Sequence, residues 1–595
     1  MKLLTFATLL TLPAALLAQV IPTVGAPELH PRLSIQALHD EPEIYNMFLL
    51  GTAALMRTPE TSPASYFGLS GIHGRPNIPY NDAPSTDIQP YGYCLHRSVL
   101  FTTWHRVYMA HFEQLLTAAA VAEARKWPEG EDRDKWTEAA KKVRQPYWDW
   151  SHPVDGLNFP SEYEQEEVEV STPEGQETIP NPLAKYTFDP ARREQRLIDF
   201  AGSRFRNADT TVRDISNSLR GDTGALKTRT DTTYKLFSVS SFSYFSTSTF
   251  PRGDATPADT VNVEGLHDGV HVEIGGHMVE VPVAAFDPTF WLHHTNVDRL
   301  VALYQAANPE SAKGNKALVE PMDPGRPSFG FPVSEGHTET ATTPLYPFKK
   351  ENGEDWTSAD VSSVKSTYAL GYYYPELPEA LENSSDADIT AHALEQIDAL
   401  YAPAQQATGG SANGVSANAE TKIASGPIKS TEWLATVTFD GSEIDETFTV
   451  KVFDGDSQIG GVTSFSTTGS QMAMGNSTTA GSVPLTGFLL EEKVNYNDIE
   501  KTVEHLKKNL KWRITDYKGD ELDVADLPSL QVSVSASQVL QGAGSALPVF
   551  GKWSTFYEVT DKKKGGATFG NVELGSEDVN AVNDRTVLAK PEVPK

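Results

Sequence analysis

The chain has very little cysteine: Cys94 is the only one in 595 residues. A single cysteine cannot form an intrachain disulfide, which excludes a disulfide framework as the source of stability. Basic residues are also scarce, 49 against 79 acidic ones, for a formal charge of −30. This balance argues against nucleic acid or an anionic membrane surface as a partner, because both bind to positive potential.

Long hydrophobic runs are absent except at the N-terminus. The run Leu3–Val20 follows a single positive charge at Lys2, is interrupted by Pro13 and has the small residue Ala18 near its end. These features are typical of a secretory signal peptide, here residues 1–18, and the run is too short and broken for a membrane span. The sequence therefore predicts a secreted protein, with an N-terminal anchor or an intracellular location as alternatives.

The hydrophobic periodicity divides the remaining chain into parts. Helical spacing is clear in 99–127 and 290–304, so we expect a mainly α-helical core with long loops over 19–380. The stretch 401–427 is rich in Ala, Gly, Ser, Asn and Gln and has almost no large apolar side chains. It cannot bury enough surface to fold, so we predict a linker, bounded at 381–428, that contains a cleavage region.

Beyond the linker the periodicity becomes two. Apolar and polar residues alternate around Val437, Val450 and Val532, and Asp-Gly turn signals separate the runs. This pattern predicts a second domain over 429–595, an all-β, sandwich-like unit.

Seven of the fifteen histidines fall in two groups along the chain. His267 and His271 are four residues apart, which on a helix places both imidazoles on one face. Asp287 is a predicted N-cap followed by Pro288, so His294 lies on the opening turns of a second helix. Clusters of neutral imidazoles suit copper, zinc, iron or nickel. Glu264 leaves a zinc hydrolase open as an alternative, since such enzymes use a carboxylate base.

The histidine motifs, taken in order, resemble those of the type-3 copper proteins, and most of all the fungal tyrosinases. The resemblance spans about residues 30–380 and rests on "GIHG", "CLHR", "WHRVYMAHFEQ", "QPYWDW", "HDGVHVEIGG" and "DPTFWLHHTNVDR". It implies a four-helix bundle with two copper ions, O₂ as co-substrate and small phenols as substrates. The copper ligands implied by the family pattern are His73, His96 and His105 for one ion, and His267, His271 and His294 for the other.

The resemblance also implies roles for residues around the ligands. Cys94 precedes His96 by two positions, the relation in which many fungal members form a thioether bond. Phe290 corresponds to the residue that stacks on the phenol, and Val272 to a residue that leaves the slot open. Glu264 and its neighbour Asp268 correspond to a pair proposed to hold a catalytic water, but the family pattern has Asn in place of Asp268. That departure puts monophenol hydroxylation in question.

The β domain resembles the C-terminal extension of long tyrosinases, where an aromatic side chain plugs the copper pocket until a protease removes the domain. Phe453 is one candidate plug, which the sequence does not single out. The resemblance therefore predicts a latent enzyme that oxidises o-diphenols to o-quinones and hydroxylates monophenols. A catechol oxidase without the second activity and a hemocyanin-like oxygen carrier are the alternatives.

Overall fold

The structure is a computed structural model, and it describes residues 20–83, 92–249, 255–313, 339–403, 428–465, 478–541, 547–568 and 577–578. The predicted signal peptide and residues 404–427, half of the predicted linker, lie outside the described residues. Across the described ranges, no helix is long and apolar enough to cross a membrane.

The N-terminal part is helical, as the sequence predicts. Its helices are α1 Ile35–His39, α2 Pro42–Arg57, α3 Tyr66–Gly71, α4 Phe101–Ala124, α5 Glu131–Lys141, α6 Arg193–Asp199, α7 Thr223–Leu236, α8 Phe242–Ser246, α9 Val263–Ile274, α10 Pro288–Ala307, α11 Pro309–Lys313, α12 Lys365–Ala369 and α13 Asp386–Tyr401. Short strands accompany them: β1 His30–Pro31 pairs with β6 Tyr372–Tyr373, β2 Glu167–Thr172 with β3 Gly175–Pro180, and β4 Pro344–Lys349 with β5 Asp355–Thr357.

Four of these helices, α2, α4, α9 and α10, form the bundle. The helices α2 and α4 cross closely because Gly51 has no side chain: a Cβ there would lie 3.0 Å from that of Ala120. Helix α10 is buried on all sides along its whole length, so it is the central element of the domain. It begins as predicted, with the Asp287 side chain accepting from the Thr289 amide and Pro288 at its first position.

The C-terminal part contains two sheets packed on a shared apolar core. Its strands are β7 Ile428–Asp440, β8 Phe448–Asp454, β9 Ser457–Ser464, β10 Thr478–Pro484, β11 Leu510–Asp516, β12 Glu521–Leu522, β13 Gln531–Gln541, β14 Val549–Phe550, β15 Ser554–Thr555 and β16 Glu577–Asp578. One sheet has the order β10-β7-β13-β15-β16 with β14 also on β13, and the other has the order β12-β11-β8-β9.

The two sheets confirm the predicted β architecture of this domain, to which the structure adds short helices. Two helices interrupt the strands, α14 Thr486–Glu491 and α15 Ile499–Asn509. Helix α15 begins at an N-cap, Asp498, and buries Val503 and Leu506, and its first residue Ile499 packs against the same core. The domain is therefore β-rich rather than purely β.

The first part of the predicted linker is also folded. Helix α13 lies inside 381–428 and contributes Ile389, Ala393, Ile397 and Tyr401 to the core of the helical domain. These apolar residues follow helical spacing and are buried on one face, so the helical domain continues to Tyr401.

Candidate metal centre

Six histidines from loops and three helices line the centre of the helical domain. His73 follows α3, His96 precedes α4, and His105 lies on the first turns of α4. The second group is carried by α9, with His267 and His271, and by α10, with His294. Each of the six is at most 4% exposed.

In the second group, three ring nitrogens point at one position. The Nε2 atom of His294 lies 3.2 Å from that of His267 and 3.3 Å from that of His271. The Nδ1 atom of His271 donates to the Met278 carbonyl at 2.6 Å, which leaves a lone pair on its Nε2. Metal–nitrogen bonds of about 2.0–2.1 Å at tetrahedral angles place ligand nitrogens about 3.3 Å apart. A metal ion therefore fits between these three atoms.

The first group shows the same orientation of its rings. Nδ1 of His73 donates to the Val281 carbonyl at 2.9 Å, and Nδ1 of His105 donates to that of Phe101 at 2.7 Å. The Nε2 atom of His73 is buried and has no hydrogen-bond partner among the described residues. A buried polar atom without a partner is costly, and a metal ion would satisfy it.

The two groups adjoin each other. The rings of His105 and His294 stack at 4.5 Å, and those of His96 and His267 are 5.6 Å apart. Burial lowers the pKa of both His105 and His271 to about 3, so both imidazoles are neutral, the form that binds metals. The site can therefore hold two metal ions side by side on imidazole ligands.

The neighbouring His293 differs from His294. Its ring stacks on that of His267 at 5.0 Å, and neither of its nitrogens has a hydrogen-bond partner among the described residues. One ligand atom from each of His267, His271, His293 and His294 falls within 4.8 Å of the others. The short Nε2 contacts nevertheless involve His294.

Cys94 belongs to the first group. Its sulfur lies 2.8 Å from Nδ1 and 3.7 Å from Nε2 of His96, and the residue is 1% exposed. Burial raises the pKa of the thiol well above its usual value. The sulfur is thus in contact with the edge of an imidazole in the metal group rather than with a distant part of the core.

Glu264 is surrounded by hydrogen-bond donors. One carboxylate oxygen accepts from the backbone amide of Arg97 at 2.5 Å. The other accepts from the Thr247 hydroxyl at 2.8 Å, the Ser248 amide at 2.8 Å and the Ser248 hydroxyl at 3.1 Å. Burial raises the pKa of Glu264, and these hydrogen bonds oppose the rise. Both oxygens are engaged by the protein.

Asp268 lies one turn further along α9, on the same face of the helix as Glu264. Its Oδ1 atom accepts from Nδ1 of His267 at 2.9 Å. This contact fixes the tautomer of His267 and turns its Nε2 toward the metal position, the usual arrangement of a carboxylate behind a histidine ligand. Burial, followed by repulsion from Glu264, raises the pKa of Asp268 well above its ordinary value.

The two residues predicted to bind substrate lie apart. The ring of Phe290 is fully buried, 4.0 Å from that of His294 and 4.8 Å from that of His73. Val272 instead lines a cavity of about 630 Å³ between the two domains, and none of the six histidines lines this cavity. Its side chain is therefore on the interdomain face of α9.

The sequence did not identify one aromatic residue of the site, Phe465, which follows β9. Its ring lies 4.7 Å from that of His271, 5.8 Å from that of His96 and 6.0 Å from that of His267. The candidate that was considered, Phe453, instead lies against Arg513 within the β-rich domain. The sequence around β9 contains no local pattern that marks Phe465 for this role, because the position of Phe465 at the site depends on how the two domains dock.

Fold and site together define the class. Two adjacent groups of three histidines, all neutral and buried within a helical bundle, form the dicopper centre of a type-3 copper protein. Comparison with known proteins supports this class for both domains. The common central domain of tyrosinase matches residues 63–307, and the tyrosinase C-terminal domain matches 432–534.

Individual relatives agree. The chain is 29% identical to a tyrosinase of Neurospora crassa over 88% of this chain and 94% of that one. It is 35% identical to a tyrosinase of Podospora anserina over 57% of this chain and 60% of the relative. A structure of latent and active mushroom tyrosinase superposes with a TM-score of 0.74 at 26% identity, over 91% of this chain and 99% of that one. The chain belongs to the tyrosinase family and is a copper enzyme of the long form, with a C-terminal domain.

Proposed function

We propose that this chain is a latent oxidase that uses O₂ to convert o-diphenols to o-quinones. The observation that carries the proposal is the pair of adjacent three-histidine groups, with the rings of His105 and His294 stacked between them. We assign His73, His96 and His105 to one copper ion and His267, His271 and His294 to the other. Bound copper supplies the electron transfer between the diphenol and O₂.

The reaction balances without another co-reactant. Each of two diphenols loses two electrons and two protons and becomes a quinone, and O₂ takes up the four electrons and four protons as two waters. The protein holds the imidazoles in place through Val281, Phe101, Met278 and Asp268 and keeps bulk water away from the buried centre.

We propose that Phe465 occupies the position of the substrate ring. Its ring tilts by 34° over His271 and touches both histidine groups. In this proposal Phe290 is a wall that packs on His294 and His73, and Phe465 is the group a phenol must replace. Removal of the β-rich domain by a protease would then open the site.

Monophenol hydroxylation is the second activity that we propose, and it depends on a proton acceptor. The family pattern gives that role to Glu264 and Asp268. Glu264, however, accepts hydrogen bonds from Arg97, Thr247 and Ser248. Asp268 accepts one from His267. The carbonyl of Ser248 also accepts from the backbone amide of Ala480 in the β-rich domain at 3.0 Å. We therefore expect hydroxylation to be weaker than diphenol oxidation and to appear only after the domain is removed.

We further propose a thioether bond between Cys94 and His96, supported by the 2.8 Å contact of the sulfur with Nδ1. Its formation breaks the thiol S–H bond and a ring C–H bond and makes a C–S bond, and O₂ takes up the two electrons and two protons as H₂O₂. The copper-loaded protein should then be lighter than the sequence mass by two hydrogens, and a Cys94→Ala variant should show no such deficit. Secretion, inferred from residues 1–18, would be tested by N-terminal sequencing of the protein exported by its host.

The experiment that tests the function is oxygen uptake by copper-loaded protein, before and after limited proteolysis, with a catechol and its matching monophenol. We expect two coppers per chain and catechol-dependent uptake that rises after proteolysis. Oxygen uptake with the catechol alone would support the proposed diphenol oxidation and contradict the proposed hydroxylation of monophenols. Full copper without uptake on either substrate would contradict the proposal and favour an oxygen carrier.

A further inference from the structure

Arg97 directly follows the predicted copper ligand His96 and has an unusual backbone. Its φ is +55°, in the left-handed region, which costs a residue with a Cβ about 1–2 kcal/mol. The loop is held in this form by two contacts: the Arg97 amide donates to Glu264, and its carbonyl accepts from Thr249 at 3.0 Å. Strain of this kind is retained where the position of a side chain matters.

The Arg97 side chain reaches into the boundary between the domains. Its Nη2 atom donates to the Ser464 hydroxyl at 2.9 Å, and Ser464 immediately precedes Phe465. The guanidinium also lies against Gly441, where a Cβ would be 2.6 Å from Nη2, so glycine leaves the room that it occupies. Arg97 is 7% exposed in this closed form.

We propose that Arg97 is a specificity-determining residue that binds the carboxylate of an aromatic acid when a phenol replaces Phe465. We use "ring slot" for the space that the Phe465 ring fills beside His96, His267 and His271. In this proposal a substituent that leaves the ring where Cβ leaves the Phe465 ring runs toward the backbone of Phe465, and the neighbouring Cα of Ser464 is only 3.8 Å along the chain. The guanidinium already hydrogen-bonds there.

The chemistry of Arg97 favours a carboxylate over the serine that it now contacts. A guanidinium presents a planar set of donors that can bind both oxygens of a carboxylate, and charge-assisted hydrogen bonds are about twice as strong as neutral ones. The substrate class is therefore a diphenol with a carboxylate two or three atoms from the ring. This inference rests on the proposed function, since it requires the ring slot to be the substrate site.

The test uses the full copper-loaded chain with Phe465→Ala, which empties the ring slot and leaves the domains joined. The probes are 3-phenylpropionate and its neutral amide, 3-phenylpropanamide, which have one shape and cannot be oxidised as phenols. Binding is measured by calorimetric titration. We expect the acid to bind about tenfold more tightly than the amide, and this ratio to fall to about one in Phe465→Ala/Arg97→Gln.

Two further variants separate charge recognition from general damage. Arg97→Lys keeps the positive charge but lacks the planar set of guanidinium donors, so the ratio of the affinities for acid and amide should be intermediate. Arg204→Gln, in the same Phe465→Ala background, removes a cation that stacks on Tyr517 at the domain boundary, 3.7 Å from its ring, and should leave the ratio at its parent value.

A measurement on Phe465→Ala alone covers the case in which the Arg97 variants do not fold. Added salt should weaken binding of the acid and not that of the amide, because only the acid forms an ion pair. Equal affinities for acid and amide, or a preference for the acid that survives Arg97→Gln, would overturn the role of Arg97. Failure of both probes to bind would overturn the ring slot itself, and with it the proposed plug.

Discussion

At the scale of single residues, the Asp268 carboxylate orients His267, one of the proposed copper ligands, and does not face open space. Its carboxylate accepts from Nδ1 of His267 at 2.9 Å, so its loss would leave His267 free to rotate or change tautomer. We expect Asp268→Ala to weaken copper binding at the second site about 10–100-fold, and Asp268→Asn, which keeps an oxygen acceptor, to weaken it less. Copper retained during dialysis against a graded series of chelators measures this. Equal retention by both variants would show that the contact does not orient His267.

Phe465 is the second residue whose role can be isolated. Burying a phenylalanine contributes about 1.5–3 kcal/mol, so truncation should raise the population of the open site about 10–150-fold. We expect Phe465→Ala to oxidise a catechol without proteolysis. Phe453→Ala is the matched control, since that ring lies on Arg513 away from the histidines, and it should stay latent. If both variants behaved alike, the plug would be elsewhere.

The contrast between these two phenylalanines shows what the sequence can and cannot predict about the site. The histidine positions follow from local patterns, such as the spacing of His267 and His271 and the N-cap at Asp287. Phe465 reaches the site only through the docking of two domains. The donors to Glu264 come from loops far along the chain, at Arg97 and Ser248, and no local pattern specifies such contacts.

At the scale of elements, helix α13 is the clearest departure from the sequence-based prediction. The stretch of small and polar residues that follows α13 favours a linker from residue 381 onward. Within that range, however, Ile389, Ala393 and Ile397 recur every four residues, which is helical spacing. Similarly, strand-like alternation on both sides of α15 masks its helical pattern in the sequence. In both cases, short amphipathic helices were hidden by the composition of their neighbours.

Helix α13 should contribute to the stability of the helical domain. Ile397 is fully buried against its core, and truncation of such an isoleucine costs about 2–5 kcal/mol. We expect Ile397→Ala to lower the free energy of unfolding by about this amount in a denaturant titration. Glu395→Ala, at an exposed position on the same helix, should change it by less than about 0.5 kcal/mol. If Ile397→Ala left the denaturation midpoint unchanged, α13 would not contribute to the stability of the helical domain and would count as part of the linker.

At the scale of the whole molecule, the domains are joined by polar contacts in addition to the plug. Thr228 donates to the Ile459 carbonyl at 2.8 Å, and Asn262 donates to that of Ala480 at 3.2 Å. Lys235 of α7 forms an ion pair with Glu432 of β7 at 3.2 Å, with both side chains about 10% exposed or less. The docked arrangement therefore depends on pairs that are about 200 residues or more apart in sequence, which local patterns do not encode.

The buried ion pair makes docking sensitive to both mutation and pH. Burial raises the pKa of Glu432 and Lys235 opposes the rise, so the docked state holds a proton on Glu432 more tightly than the separated state. Acid therefore favours docking through this group, and rising pH weakens it. Lys235→Met leaves the carboxylate unpaired, which costs about 3–5 kcal/mol when the group is ionised.

We expect the full-length Lys235→Met chain to oxidise a catechol without proteolysis at about pH 7.5, and to become latent again toward about pH 5, where Glu432 can take up a proton. Rates are expressed relative to a proteolysed sample of the same variant, which removes the pH dependence of the chemistry itself. Lys235→Met/Glu432→Gln replaces the carboxylate by a neutral group of the same shape and should be latent across this range. If that double variant were as active as Lys235→Met, loss of lysine packing rather than an unpaired charge would be releasing the domain.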